Sequence, residues 1–197
     1  MKIFLSLLML FSLSFATDAT IEVIKKVDTL PSLAIEDAST SYDDIFRLRF
    51  FKALVADINV LSIYNVDRHH RAVDFSDSNV LVENKDMNYV LRYQMSEGDD
   101  GALNLVVKLI KDDSEVLNKS YKVSKSDIYM FISHTIAYDI NQYMGEPSVE
   151  WMKRKVIFSR IVAPKKSEIV IADYTLAYQH VIIKGGYNIF PKWANNQ

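Results

Sequence analysis

Between Tyr89 and Val123 the chain carries a period of two through two turns, and this run limits its fold more than any other feature. "YVLRYQM" places Tyr89, Leu91, Tyr93 and Met95 on one face of a strand. "EGDDG", Glu97–Gly101, turns the chain, and "ALNLVVKLI", Ala102–Ile110, returns it. "KDDS" turns it again into "EVLNKSYKV". Two successive hairpins predict an antiparallel meander. A sheet with one apolar face must be covered, and two long segments of helical period flank this one.

In the first of these segments Ile45, Leu48, Phe51, Leu54, Val55 and Ile58 recur at helical spacing, with Arg47, Arg49 and Lys52 mostly away from them. Ser41 followed by Asp44 resembles a capping box. In the second, "SDIYMFISHTIAYDINQYM", the stripe is Ile128, Phe131, Ile132, Ile136, Ile140 and Tyr143. Gly145 stops that helix and Pro147 prevents its continuation. His134 falls off the stripe, without evident partners, and reads as a surface or boundary residue. Helices beside a meander predict an α+β fold.

Strands are also predicted outside this block. "TIEVIKK", Thr20–Lys26, alternates apolar and polar residues, and "SLAIED" is a second short strand. After "GEPSVEW" the remaining segments, "KVIFSR", "EIVIADY" and "YQHVIIK", all read as strands. This predicts a domain over 17–150 and a small β unit over 151–197.

The opening "MKIFLSLLMLFSLSFA" has a positive n-region at Lys2, an apolar stretch, and small residues before a cleavage point after Ala16. That is the pattern of a secretory signal peptide over 1–16, with a product that spans no membrane. The chain has no cysteine, so its stability must come from its core and not from disulfides. Cleavage leaves roughly 180 residues, enough for one full domain and a remainder. The formal charge is −2, which argues against nucleic acid, whose binding needs a basic face.

Catalytic and metal signatures are missing from the sequence. "NVDRHHRAVDF", Asn65–Phe75, holds two adjacent histidines that cannot share a face, with no cysteine or third histidine nearby to complete a zinc site. It reads as a solvated polar loop with a short helical turn. The pairs Asp99-Asp100 and Asp112-Asp113 sit in turns without the alternating oxygens and distal glutamate of a calcium loop. There is no G-x-S-x-G, H-E-x-x-H or phosphate-binding glycine loop. The expectation is a non-catalytic protein with no metal and no cofactor.

The order of motifs carries a resemblance. "RKVIFSR", "SEIVIADY" and "FPKW" resemble the first propeller blade of the TolB family, periplasmic proteins of the Tol–Pal system. "ADINVLSIYNVDR", "MNYVLRYQM" and "SHTIAYDINQYMGEPSVEW" resemble, in the same order, motifs of the family's N-terminal domain. "SLAIEDAS" and "PKWANNQ" depart from the family pattern. The resemblance implies a small mixed sheet packed by two main helices, like an anticodon-binding domain, followed by one incomplete β-propeller blade.

A family propeller has about six blades, each covering its neighbour's face. The unit over 151–197 is therefore expected to be the loosely held stump of a propeller, from a truncated, split or partial gene product. The resemblance also implies an adaptor that links TolA and Pal for envelope integrity, cell division and colicin import. TolA would be met by the mature N-terminal strand, Thr20, Ile21, Glu22, Val23, Ile24, Lys25 and Lys26. Pal would be met by propeller surface that this chain lacks. The alternative is the propeller part of an exported prolyl-oligopeptidase-like hydrolase without its catalytic domain.

Overall fold

A computed structural model describes residues 29–76, 80–124 and 128–194. The predicted signal peptide and the strand Thr20–Lys26 lie outside the described residues. The elements follow as β1 (Ser32–Asp37), α1 (Asp44–Leu61), β2 (Asn65–Val66), β3 (Arg71–Ala72) and β4 (Tyr89–Glu97). Next come β5 (Leu103–Lys111), β6 (Ser114–Val123), α2 (Tyr129–Tyr143), β7 (Val156–Ala163), β8 (Lys166–Ala172) and β9 (Gln179–Ile183).

The first six strands form one mixed sheet, ordered β2-β1-β4-β5-β6, with β3 also on β1. Its β4-β5-β6 part is the predicted antiparallel meander, while β1 runs parallel to β2, β3 and β4. The last three strands form a separate antiparallel sheet, β7-β8-β9. The architecture is α+β, with both helices on one face of the larger sheet.

Strand alternation decides which residues meet those helices. Leu33 and Ile35 of β1, Leu91, Tyr93 and Met95 of β4, and Leu103, Leu105, Val107 and Leu109 of β5 share one buried cluster with the helices. The helices contribute Phe50, Leu54 and Ile58 from α1 and Ile132, Ile136 and Ile140 from α2. Each fully buried side chain of this kind contributes roughly 1.5–3 kcal/mol.

The reverse face of the sheet is smaller and partly ionic. Ala34, Val90 and Ile110 pack there under Val80 and Met87. Beside them Glu36 and Arg92, paired in the β1–β4 register, are almost wholly buried. The Arg92 Nε donates to Glu36 Oε2 at 2.8 Å, and Glu36 Oε1 accepts from Asn84 Nδ2 at 2.7 Å and from the Leu81 amide at 3.2 Å. One carboxylate thus holds a neighbouring strand and the covering segment together.

Several sequence expectations are corrected by this packing. The cap of α1 is Asp43 and not Ser41: its carboxylate accepts the Phe46 amide at 2.7 Å. A side chain in that role contributes about 1 kcal/mol. The first turn of α1 reaches past the core, so Ile45 is 65% exposed and Leu48 also faces water. Phe50 takes their place, and Arg47 turns inward to meet Asp37 at 2.9 Å. Tyr143, expected on the α2 stripe, is exposed at the helix end.

The segment around His69 and His70 is not a plain solvated loop. β2 and β3 occupy the outer edge of β1, where Asn65, Asp67 and Val73 amides donate to Pro31, Leu33 and Asp37 carbonyls. A strand buried on both faces still has edge groups to satisfy, and this segment satisfies them. His69 remains exposed, while the His70 Nε2 lies 2.8 Å from Asp37 Oδ2.

Candidate functional site

Helix α2 is covered on two sides. Its apolar stripe faces the larger sheet, while His134, roughly 200° round the helix from Ile132, faces the segment that follows β8. There it is fully buried. This overturns the expectation of a surface residue. Two neighbours on that side, Ser133 and Asn141, are buried as well. The Asn141 amide donates to the Pro147 carbonyl at 2.8 Å and holds the chain as it leaves the helix. A 3-10 helix over Glu150–Lys153 then places Met152 in the main core.

His134 joins three parts of the chain. Its Nδ1 lies 2.8 Å from Asp57 Oδ2 on α1, and its Nε2 lies 3.2 Å from Asp173 Oδ2, just past β8. The Ser133 hydroxyl also donates to Asp57 Oδ2, and the Tyr174 hydroxyl donates to Asp57 Oδ1 at 2.5 Å. Asp173 is held by the Thr175 amide at 2.8 Å, the Thr175 hydroxyl and the Tyr178 amide at 2.7 Å. Around this core the Tyr174 ring lies against the His134 ring, with centroids 4.6 Å apart, and Trp151 meets Tyr174 edge-on at 5.1 Å. The smaller sheet is therefore tied to both helices by a buried polar junction, a feature the expectation of a loosely held unit did not contain.

Nothing about this junction resembles a nucleophilic centre. Asp57, Ser133, His134 and Asp173 are all buried, and both ring nitrogens already face carboxylates. Among the described residues no group of three or more histidines and carboxylates could hold a metal ion. Also among them, no helix is long and apolar enough to cross a membrane.

The outer face of the smaller sheet is different in kind. Ile157, Ile169, Ile182, Ile183, Tyr187 and Ile189 line a groove of about 530 Å³. Phe190 is 83% exposed and Trp193 55%. The smaller sheet is thus tied to the helices through the segment after β8 and presents apolar side chains in this groove.

The carboxylates of Asp37 and Asp173 give a pH expectation. Burial alone would raise their pKa values. The hydrogen bonds to Ser39, His70 and Arg47 at Asp37, and to Thr175, Tyr178 and His134 at Asp173, outweigh it and hold both below the ordinary 3.8. The folded pKa is depressed, so the stabilisation is fully present above 3.8 and is lost as pH falls through the folded value. Denaturant melts at successive pH values should show stability falling steeply below 3.8. Asp37→Asn and Asp173→Asn should each flatten that fall, and an unchanged slope in both would remove these carboxylates as its cause.

No family model matches the chain. Among curated proteins, the Tol-Pal system protein TolB of Wolinella succinogenes is 40% identical across 100% of this chain, which covers 48% of that protein. TolB of Helicobacter hepaticus is 33% identical over 98% of the chain, which covers 46% of it. The chain spans about half the length of the curated relatives it matches. The crystal structure of TolB from Acinetobacter baumannii superposes with a TM-score of 0.52 over 80% of this chain and 39% of that one. At 14% identity that likeness supports the fold.

Proposed function

The chain belongs to the family of the Tol-Pal system protein TolB, and from that premise we propose that it acts as a non-catalytic periplasmic adaptor whose N-terminal strand contacts TolA. The observation that carries this reading is the 40% identity to a TolB protein along the entire chain. In this reading residues 17–150 form the TolB N-terminal domain and residues 151–197 the first blade of a β-propeller. Three antiparallel strands with an exposed apolar outer face support the second assignment. A blade buries such a face against the next blade.

Thr20–Lys26 would add to an edge of TolA through backbone hydrogen bonds, with Ile21 and Val23 gripping on one side. Pal recognition needs a surface built from several blades and is assigned to parts of the family's propeller beyond these three strands. Envelope integrity, cell division and colicin import follow as the roles of the assembled system.

Purified TolA and Pal, presented separately to the mature chain, test the reading. Capture by TolA and no capture by Pal is the expected result. Retention by Pal, or no retention by TolA, would overturn the partner assignment. Export is tested apart from binding. Protein from the periplasmic fraction should begin at Thr17, and a chain beginning at Met1 in the cytoplasm would contradict it.

A further inference from the structure

His134 has a carboxylate oxygen facing each of its ring nitrogens. All four oxygens of Asp57 and Asp173 accept from other donors: the Tyr174 hydroxyl, the Ser133 hydroxyl, the Tyr178 amide, and the amide and hydroxyl of Thr175. These donors leave a carboxylate lone pair facing each ring nitrogen. A neutral imidazole has one N–H and one lone pair. At 2.8 and 3.2 Å no water fits between ring and carboxylate, so its lone pair would lie directly against a carboxylate oxygen. With both carboxylates ionised, only a ring protonated on both nitrogens satisfies both contacts.

We propose that the Asp57–His134–Asp173 bridge is a charge-gated latch between the helical layer and the smaller sheet, closed while the imidazole carries both ring protons and released when it loses one. The groups facing the ring come from every element around it. Asp57 faces it from α1. From α2 come Ser133, through Asp57, and the Phe131 ring at 6.0 Å. Asp173 and the Tyr174 ring face it from the segment after β8. Farther out, the Tyr178 ring and the Lys155 ammonium, 5.5 Å from the ring centroid, lie against Phe131. Burial and the nearby Asp57 keep the Tyr174 hydroxyl protonated, so it remains a donor while the ring changes state.

The latch acts on position as well as on stability. Asp57 lies on the helix that also carries core residues Leu54 and Ile58, while Asp173 opens the turn that leads into β9. Losing the Nε2 contact would loosen this turn, whose Tyr174 packs against the main core.

Trp151 reports on the junction because it packs on Tyr174. The chain has two tryptophans, and Trp193→Phe leaves Trp151 as the sole tryptophan, excited selectively on the red edge. Raising the pH of that variant from about 5 to about 9 should give one transition in Trp151 emission, with far-ultraviolet circular dichroism unchanged. Amide exchange across 169–172, corrected for the intrinsic effect of pH, should rise roughly tenfold over the same transition. The transition should persist in His70→Gln, which removes a partly exposed histidine paired with the buried Asp37, and disappear in His134→Gln.

Nitrogen-15 spectra of the unmutated protein decide the matter even if His134→Gln does not fold. Below the transition both His134 ring nitrogens should show the protonated signature. A lone-pair nitrogen on His134 in that state, a transition that survives His134→Gln, or no transition in this range would each overturn the latch.

Discussion

Replacing Glu36 with leucine is expected to lower stability by about 3–5 kcal/mol, the cost of breaking a buried pair from one side. Glu36 is fully buried and holds Arg92, Asn84 and the Leu81 amide. Its loss leaves the buried Arg92 guanidinium without this carboxylate, and the covering segment without its anchor on β1. Leucine fills part of the volume but accepts no hydrogen bond. The double variant Glu36→Leu/Arg92→Leu should recover most of the loss, because two apolar side chains then face each other with no charge between them. Urea melts of the three proteins measure both effects. A single-variant loss below about 1 kcal/mol would show that this pair does not hold the reverse face.

Deleting Thr17–Lys26 is expected to abolish capture by TolA while leaving the melting temperature unchanged. The fold makes the two outcomes separable. Both edges of β1 are already occupied, by β2 and β3 on one side and β4 on the other, so the deletion removes no pairing of β1. Strand addition to a partner uses the backbone and the alternate side chains of one extended segment. Ile21→Asp with Val23→Asp should therefore weaken capture strongly, and Glu22→Ala, on the opposite side of the strand, should change it little. A lower melting temperature after deletion would place the segment in the protein's own sheet. Undiminished capture would mean that TolA meets another surface.

The meander, both helices and the three terminal strands were legible because each repeats a period many times. Leu91, Tyr93 and Met95, or Ile132, Ile136 and Ile140, mark their faces by spacing alone, and the structure buries all six. Asp57 and His134 were not legible in the same way. Asp57 does leave a trace, a single acid between Leu54 and Ile58 on the apolar side of α1. His134 leaves none, because helical periodicity describes one buried face, and its burial comes from a second cover on the opposite side. The cap of α1 moved from Ser41 to Asp43 because only the backbone path decides which oxygen reaches a free amide.

The sequence by itself determined the class of this protein: an alternating meander and two amphipathic helices can bury their apolar faces only against each other. Its order of motifs also carried the resemblance to TolB. The tertiary structure alone decided where the charges go. Glu36, Asp37, Asp57 and Asp173 are ordinary acids in the chain, and each is buried only because distant residues converge on it. Arg92 meets Glu36 across 56 positions, His134 meets Asp57 across 77, and Tyr174 meets Asp57 across 117. A local pattern records the period of one element. A buried charge depends on several elements closing around it, so its partners exist only once the chain has folded.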